Sequence, residues 1–166
     1  MGSRKPEAAF HLENDPIEFA RSIALNALSS RAKSRRELET QLAKRGVDAE
    51  TAKIVLDRLS EAGLVDDREF AKAWSQSRQR SKGLSRRMLA QELNGKGIDR
   101  SISEEILAEI SPEGEYEAAL AIAIKKARSV SHLSYEVQAR RIFSLLARKG
   151  FSSSISSQII REVLGK

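Results

Sequence analysis

The sequence predicts an all-α protein built as three tandem three-helix repeats stacked into an elongated, curved molecule. Three observations carry this reading. The chain of 166 residues copies itself: Ser34-Arg35-Arg36-Glu37-Leu38 with Leu42 and Gly46-Val47 returns, 51 positions later, as Ser85-Arg86-Arg87-Met88-Leu89 with Leu93 and Gly97-Ile98. Its apolar residues fall at helical spacing, with no competing alternation of strand type. Aromatic residues make up only 5% of the chain, which disfavours β-rich folds.

The first repeat spans residues 16–65, after a variable tail of residues 1–15. Asp15-Pro16 supplies an N-cap with proline at the first helical position. Phe19, Ile23, Leu25 and Leu28 then form an apolar stripe. Ser34 opens a second helix, and Glu37 completes a capping box. Leu38 and Leu42 share one face of it, and Gly46 can close its end in the left-handed region. Asp48 caps a third helix bearing Ala52, Val55, Leu56 and Leu59, and Gly63 ends it.

Residues 66–110 repeat this logic. Asp66-Asp67 precede Phe70, Ala71 and Trp74; Gly83 breaks, Ser85 caps, Gly97 breaks and Asp99 caps. The register of Trp74 with Ile23 places it in a core. The third repeat, residues 111–166, follows at a shift of 53: Ile142, Leu146 and Gly150-Phe151 answer Leu89, Leu93 and Gly97-Ile98. Tyr116 answers Phe70 but sits 34 residues before its glycine instead of 27, so the first two helices or their loop must be longer here. A unit of about fifty residues buries only about 60% of its unfolded surface, so neighbouring repeats are expected to support one another.

Composition removes most chemistry. With no cysteine there is no disulfide framework, thiol nucleophile or cysteine-ligated metal. His11 and His132 are too far apart to form a local metal motif. The longest apolar run, Ala118 to Ile124, is too short to span a bilayer. A soluble cytoplasmic monomer is expected. Gly95-Lys96 lacks the upstream glycine of a phosphate-binding loop, since Ala90 stands there, and Arg100 occupies the third glycine position of a dinucleotide fingerprint. Ser30-Arg31-Ala32-Lys33 matches a short nucleophile pattern without its companion motifs. Asp66-Asp67 read as helix-capping residues in preference to metal ligands. The chain is expected not to be an enzyme and to need no cofactor and no metal.

Cations remain as the functional signal. Lys and Arg number 29 against 23 Asp and Glu, a net charge of +6. Between Arg78 and Arg100 stand seven cations and two anions. Basic residues recur at matching places: Arg35-Arg36, Arg86-Arg87 and Arg140-Arg141 near the starts or middles of second helices, and Lys44-Arg45, Lys96 and Arg148-Lys149 at their ends. The expected binding surface comprises Arg35, Arg36, Arg78, Arg80, Lys82, Arg86, Arg87, Lys96, Arg140, Arg141, Arg148 and Lys149. Arg86 and Arg87 lie in the first turn of a helix, where the dipole disfavours cations, and an external anion would compensate them.

The run Gly63-Leu64-Val65-Asp66-Asp67-Arg68-Glu69-Phe70-Ala71-Lys72-Ala73-Trp74, then Arg78, Lys82-Gly83 and Glu92-Leu93-Asn94-Gly95-Lys96-Gly97-Ile98, resembles the RecX family of RecA regulators. The likeness covers about residues 17–164 and is weakest in the third repeat. Leu64 departs from the aromatic residue the family often carries. The resemblance implies a bacterial protein that binds RecA filaments on single-stranded DNA, lodges in the filament groove, and inhibits filament extension, ATP hydrolysis and strand exchange, with weak direct DNA binding possible. It thereby implies a role in DNA repair, recombination and the SOS response.

The competing reading is a helix-turn-helix protein acting directly on DNA, since residues 34–59 have a helix, glycine turn and helix. Glu50, Asp57 and Glu61, and in the second repeat Glu104, Glu105 and Glu109, count against it, because a phosphate backbone repels them.

Overall fold

The computed structural model describes residues 15–165. The expected tail, His11 included, lies outside the described residues except for Asp15. The described residues form nine helices and no strand: α1 (Pro16–Ser30), α2 (Arg35–Lys44), α3 (Ala49–Glu61), α4 (Asp67–Lys82), α5 (Arg86–Gly95), α6 (Arg100–Leu107), α7 (Pro112–Ser129), α8 (Tyr135–Arg148) and α9 (Ser153–Leu164).

The helix starts follow the capping residues. The Asp15 carboxylate accepts from Ile17 N at 3.0 Å, and the Asp48 carboxylate from Thr51 N at 2.8 Å. Ser34 and Glu37 form the full capping box at the head of α2. Ser85 Oγ accepts from Met88 N at 3.1 Å, and Ser152 Oγ from Ile155 N at 3.2 Å. Ser134 stands at the N-cap of α8 without a side-chain capping bond. The third repeat takes its extra residues mainly in α8, which has 14 residues against 10 in α5, and otherwise in α7, with 18 against 16 in α4, and in the loop between them, residues 130–134 against 83–85.

Two compact units divide the chain. The first ends at Phe70 and also takes in Lys96–Ile98; the second holds Ala71–Gly95 and the chain from Asp99 onward. In the first unit, Ala20, Ile23, Ala24 and Ala27 of α1 pack with Leu38 and Leu42 of α2, Val55, Leu56 and Leu59 of α3, and Val65. Small alanines on α1 let the neighbouring helices approach closely, and the leucines fill the space between them. In the second unit, Ala119 and Ala123 of α7, Ile142 and Leu146 of α8, Phe151, and Ile159 and Ile160 of α9 form a core on the same plan. Leu89 and Leu93 of α5 are fully buried as well. Truncating any of these leucines or isoleucines to alanine would cost about 2–5 kcal/mol.

Two aromatic positions, Phe19 and Trp74, depart from expectation. Phe70 is buried and Phe19 is 39% exposed. Trp74 is half-buried, not enclosed in the core its register predicts. Its Nε1 donates to Glu92 Oε2 at 2.9 Å, and the Arg78 guanidinium lies 4.6 Å from its ring centroid. A polar indole edge and a stacked cation hold the ring at the surface boundary.

Candidate polyanion-binding surface

In the first unit, Arg35 and Arg36 occupy the first turn of α2. Backbone and side chain of Arg35 are both engaged: its N donates to Asp67 Oδ1 at 2.9 Å, and its guanidinium reaches Asp57 Oδ1 at 2.7 Å and Glu39 Oε1 at 3.3 Å. Arg36 is exposed, with its stem against Gly97. Lys96 is held inward, its Nζ 2.7 Å from Glu37 Oε1. Glu37 also accepts from Arg31 at 3.0 Å and from Ser34 N at 3.0 Å. Burial alone would raise the Glu37 carboxyl pKa; the bonds from Arg31, Lys96 and Ser34 N outweigh it and lower the pKa to about 2.

In the second unit, Arg86 repeats the arrangement of Arg35. Its N donates to Glu115 Oε1 at 3.0 Å, and its Nε lies 3.2 Å from Glu115 Oε2. The external anion expected at this helix start is therefore not required by Arg86: a carboxylate from the first turn of α7 compensates it. Sequence reading missed Glu115, and Asp67 in the first unit, because each partner sits about thirty residues away with no local signal. Arg78 lies 3.1 Å from Glu92 and stacks on Trp74. Lys149 Nζ donates to the carbonyl of Lys82 at the end of α4.

Arg80, Lys82, Arg87, Arg140, Arg141 and Arg148 are exposed and make no ion pair among the described residues. The predicted basic positions thus divide. Arg35, Arg78, Arg86, Lys96 and Lys149 are tied into the scaffold, while the others present charge to solvent. Lys125 and Lys126 on α7, which sequence reasoning passed over, lie in one cleft with Arg80, Lys82 and Lys149.

The third helices of the first two repeats carry exposed or half-buried carboxylates beside their cations. On α3, Glu50 and Glu61 are exposed, and Asp57 is bonded to Arg35 and Lys53. Glu104, Glu105 and Glu109 are exposed around α6. No cluster of His, Cys, Asp or Glu that could hold a metal occurs among the described residues, and no helix among them is long and apolar enough to cross a membrane. Fold and surface together define a helical repeat protein that presents unpaired cations to solvent.

Comparison with known proteins fixes the class. Residues 20–59, 66–107 and 113–160 match the first, second and third three-helix domains of RecX. The regulatory protein RecX of Streptomyces coelicolor is 37% identical over 150 residues, covering 90% of this chain and 80% of that protein. That of Corynebacterium efficiens is 40% identical over 149 residues, covering 87% of this chain and 71% of its own length. The crystal structure of RecX from Lactobacillus salivarius superposes with a TM-score of 0.80 at 27% identity, over 92% of this chain and 99% of that one. A second RecX crystal structure, at 23% identity, shares the fold with a TM-score of 0.78. The chain belongs to the RecX family of regulatory proteins.

Proposed function

We propose that this protein regulates RecA in the bacterial cytoplasm, binding RecA filaments on single-stranded DNA and inhibiting filament extension, ATP hydrolysis and strand exchange. It damps recombinational repair and the SOS response by occupying a surface, without turning over a substrate of its own. Membership of the RecX family across all three of its domains carries this reading. The unpaired cations suit the reading, since RecA-coated DNA offers acidic protein surface and phosphates together. The protein acts as a monomer, and its direct affinity for bare DNA is weak.

Filament growth tests it. Adding the protein at sub-stoichiometric amounts to RecA extending on single-stranded DNA should slow extension, while bare DNA binds it weakly at physiological salt. Unchanged extension at saturating protein contradicts the reading. Tight, sequence-selective binding to duplex DNA would favour the helix-turn-helix alternative.

A further inference from the structure

One cleft of the second unit differs from its neighbours in charge. It has a volume of about 590 Å³ and lies among the end of α4, the Gly83 turn, α7 and the end of α8. Arg80, Lys82, Lys125, Lys126 and Lys149 line it, and no carboxylate does. Two clefts of the first unit each include a carboxylate beside two cations: one carries Glu39 with Arg35 and Lys53, the other Glu18 with Arg21 and Arg58. Arg80, Lys82, Lys125 and Lys126 make no ion pair among the described residues. Lys149 is spent internally, on the Lys82 carbonyl at the end of α4.

The floor is aliphatic. Ala118, Ala121 and Ile122 of α7 and Leu145 of α8 form it. The turn closes tightly onto it, since a methyl added at Gly83 would sit 2.6 Å from Ile122 Cδ1. Lining of this kind chooses between two polyanions. A nucleic-acid strand gains from aromatic faces on which bases stack, and no aromatic residue lines the cleft. A protein segment with carboxylates and an aliphatic side chain satisfies rim and floor together.

We propose that this cleft is a docking site for an acidic protein segment that seats an aliphatic side chain between α7 and the Gly83 turn. The assignment rests on the RecA reading above and gives the cleft to the protein part of the filament, leaving DNA to other cations.

Two variants of the full chain separate rim from floor. Arg80→Glu with Lys125→Glu reverses two exposed rim charges. Ala121→Arg fills the exposed floor while adding a cation. Binding of each to DNA-free RecA and to a bare oligothymidylate is read by fluorescence anisotropy, with melting curves confirming the fold. The docking site predicts that both variants lose about tenfold or more in affinity for RecA. It also predicts that Ala121→Arg binds the oligothymidylate as well as the wild type or better. Full RecA affinity in Ala121→Arg overturns the proposal, as does a parallel loss of oligothymidylate binding. Wild-type inhibition of RecA ATPase is measured alongside. If the wild type inhibits and Ala121→Arg inhibits equally, the cleft assignment alone fails; if the wild type neither binds nor inhibits RecA, both readings fail.

Discussion

Lys96 holds Glu37 and its capping partner together: its Nζ lies 2.7 Å from Glu37 Oε1, and its carbonyl accepts from Ser34 Oγ, at the head of the same helix, at 2.6 Å. The capping box of α2 therefore does more than start a helix. It receives the loop that ends α5, which is why Lys96–Ile98 fall in the first compact unit. Ser85 plays the matching part in the second unit, donating its N to Lys149 O at 3.0 Å. In each case the turn after a second helix rests on the cap serine of the repeat before it.

Acid should weaken the first of these joints. The folded Glu37 pKa of about 2 lies below the ordinary carboxylate value of about 4.3, so its contribution to stability is complete above the unfolded value. It is lost as pH falls from about 4.3 through about 2, and amounts to at most about 3 kcal/mol. Urea midpoints measured across this window should fall more steeply for the wild type than for Glu37→Gln. Parallel slopes would contradict the assignment.

Close approach at the second joint makes Gly150 irreplaceable. Its φ is +93°, and an added Cβ would lie 2.3 Å from Ser85 Oγ and 2.8 Å from Met88 Cβ. Gly46 has a comparable φ of +81° with nothing within 4 Å of an added Cβ. Gly46→Ala should cost about 1–2 kcal/mol from backbone strain alone, and Gly150→Ala a further ~1–3 kcal/mol from overpacking. Equal melting shifts for the two would show that the joint yields.

The single tryptophan reports on its own surroundings. Removing the Glu92 carboxylate with Glu92→Ala leaves the Trp74 indole N–H without that acceptor and frees Arg78. The variant should lose about 1–2 kcal/mol, with tryptophan emission shifted to the red. Trp74→Ala should cost about 2 kcal/mol, below the ~3–5 kcal/mol of a fully enclosed ring. A cost in the full-core range would restore the core reading.

Arg86 and Arg87 are neighbours with opposite duties. Arg86→Glu sets a carboxylate against Glu115, 3.2 Å from the guanidinium it replaces, and should lower stability by about 2 kcal/mol. Arg87→Glu places an anion in the first turn of α5, where the dipole favours it, and should leave the melting temperature unchanged while weakening RecA inhibition. Inhibition unaffected by Arg87→Glu would remove that residue from the contact surface.

Much of the fold was legible because its signals are local. Asp15, Ser34, Asp48, Ser85 and Ser152 each bond a backbone N–H within three residues, so a residue type at a helix start is enough to read them. The leucine and isoleucine faces repeat with the helix period, and burial follows. Charge was harder. Arg78, Arg80, Arg86 and Arg87 look alike in a run of cations, and only tertiary partners separate them: Glu92 and Glu115 engage the first and third, while the other two face solvent. Trp74 misled for a related reason. Its register with Ile23 fixes which face of the helix it shares, but Ile23 has no indole N–H, and Glu92 draws that edge toward the surface.

RecA ATP hydrolysis on single-stranded DNA, with and without this protein, tests the central claim most directly. The account predicts that turnover falls as the protein is added, before it equals RecA in amount. Turnover that holds steady at saturating protein would contradict it.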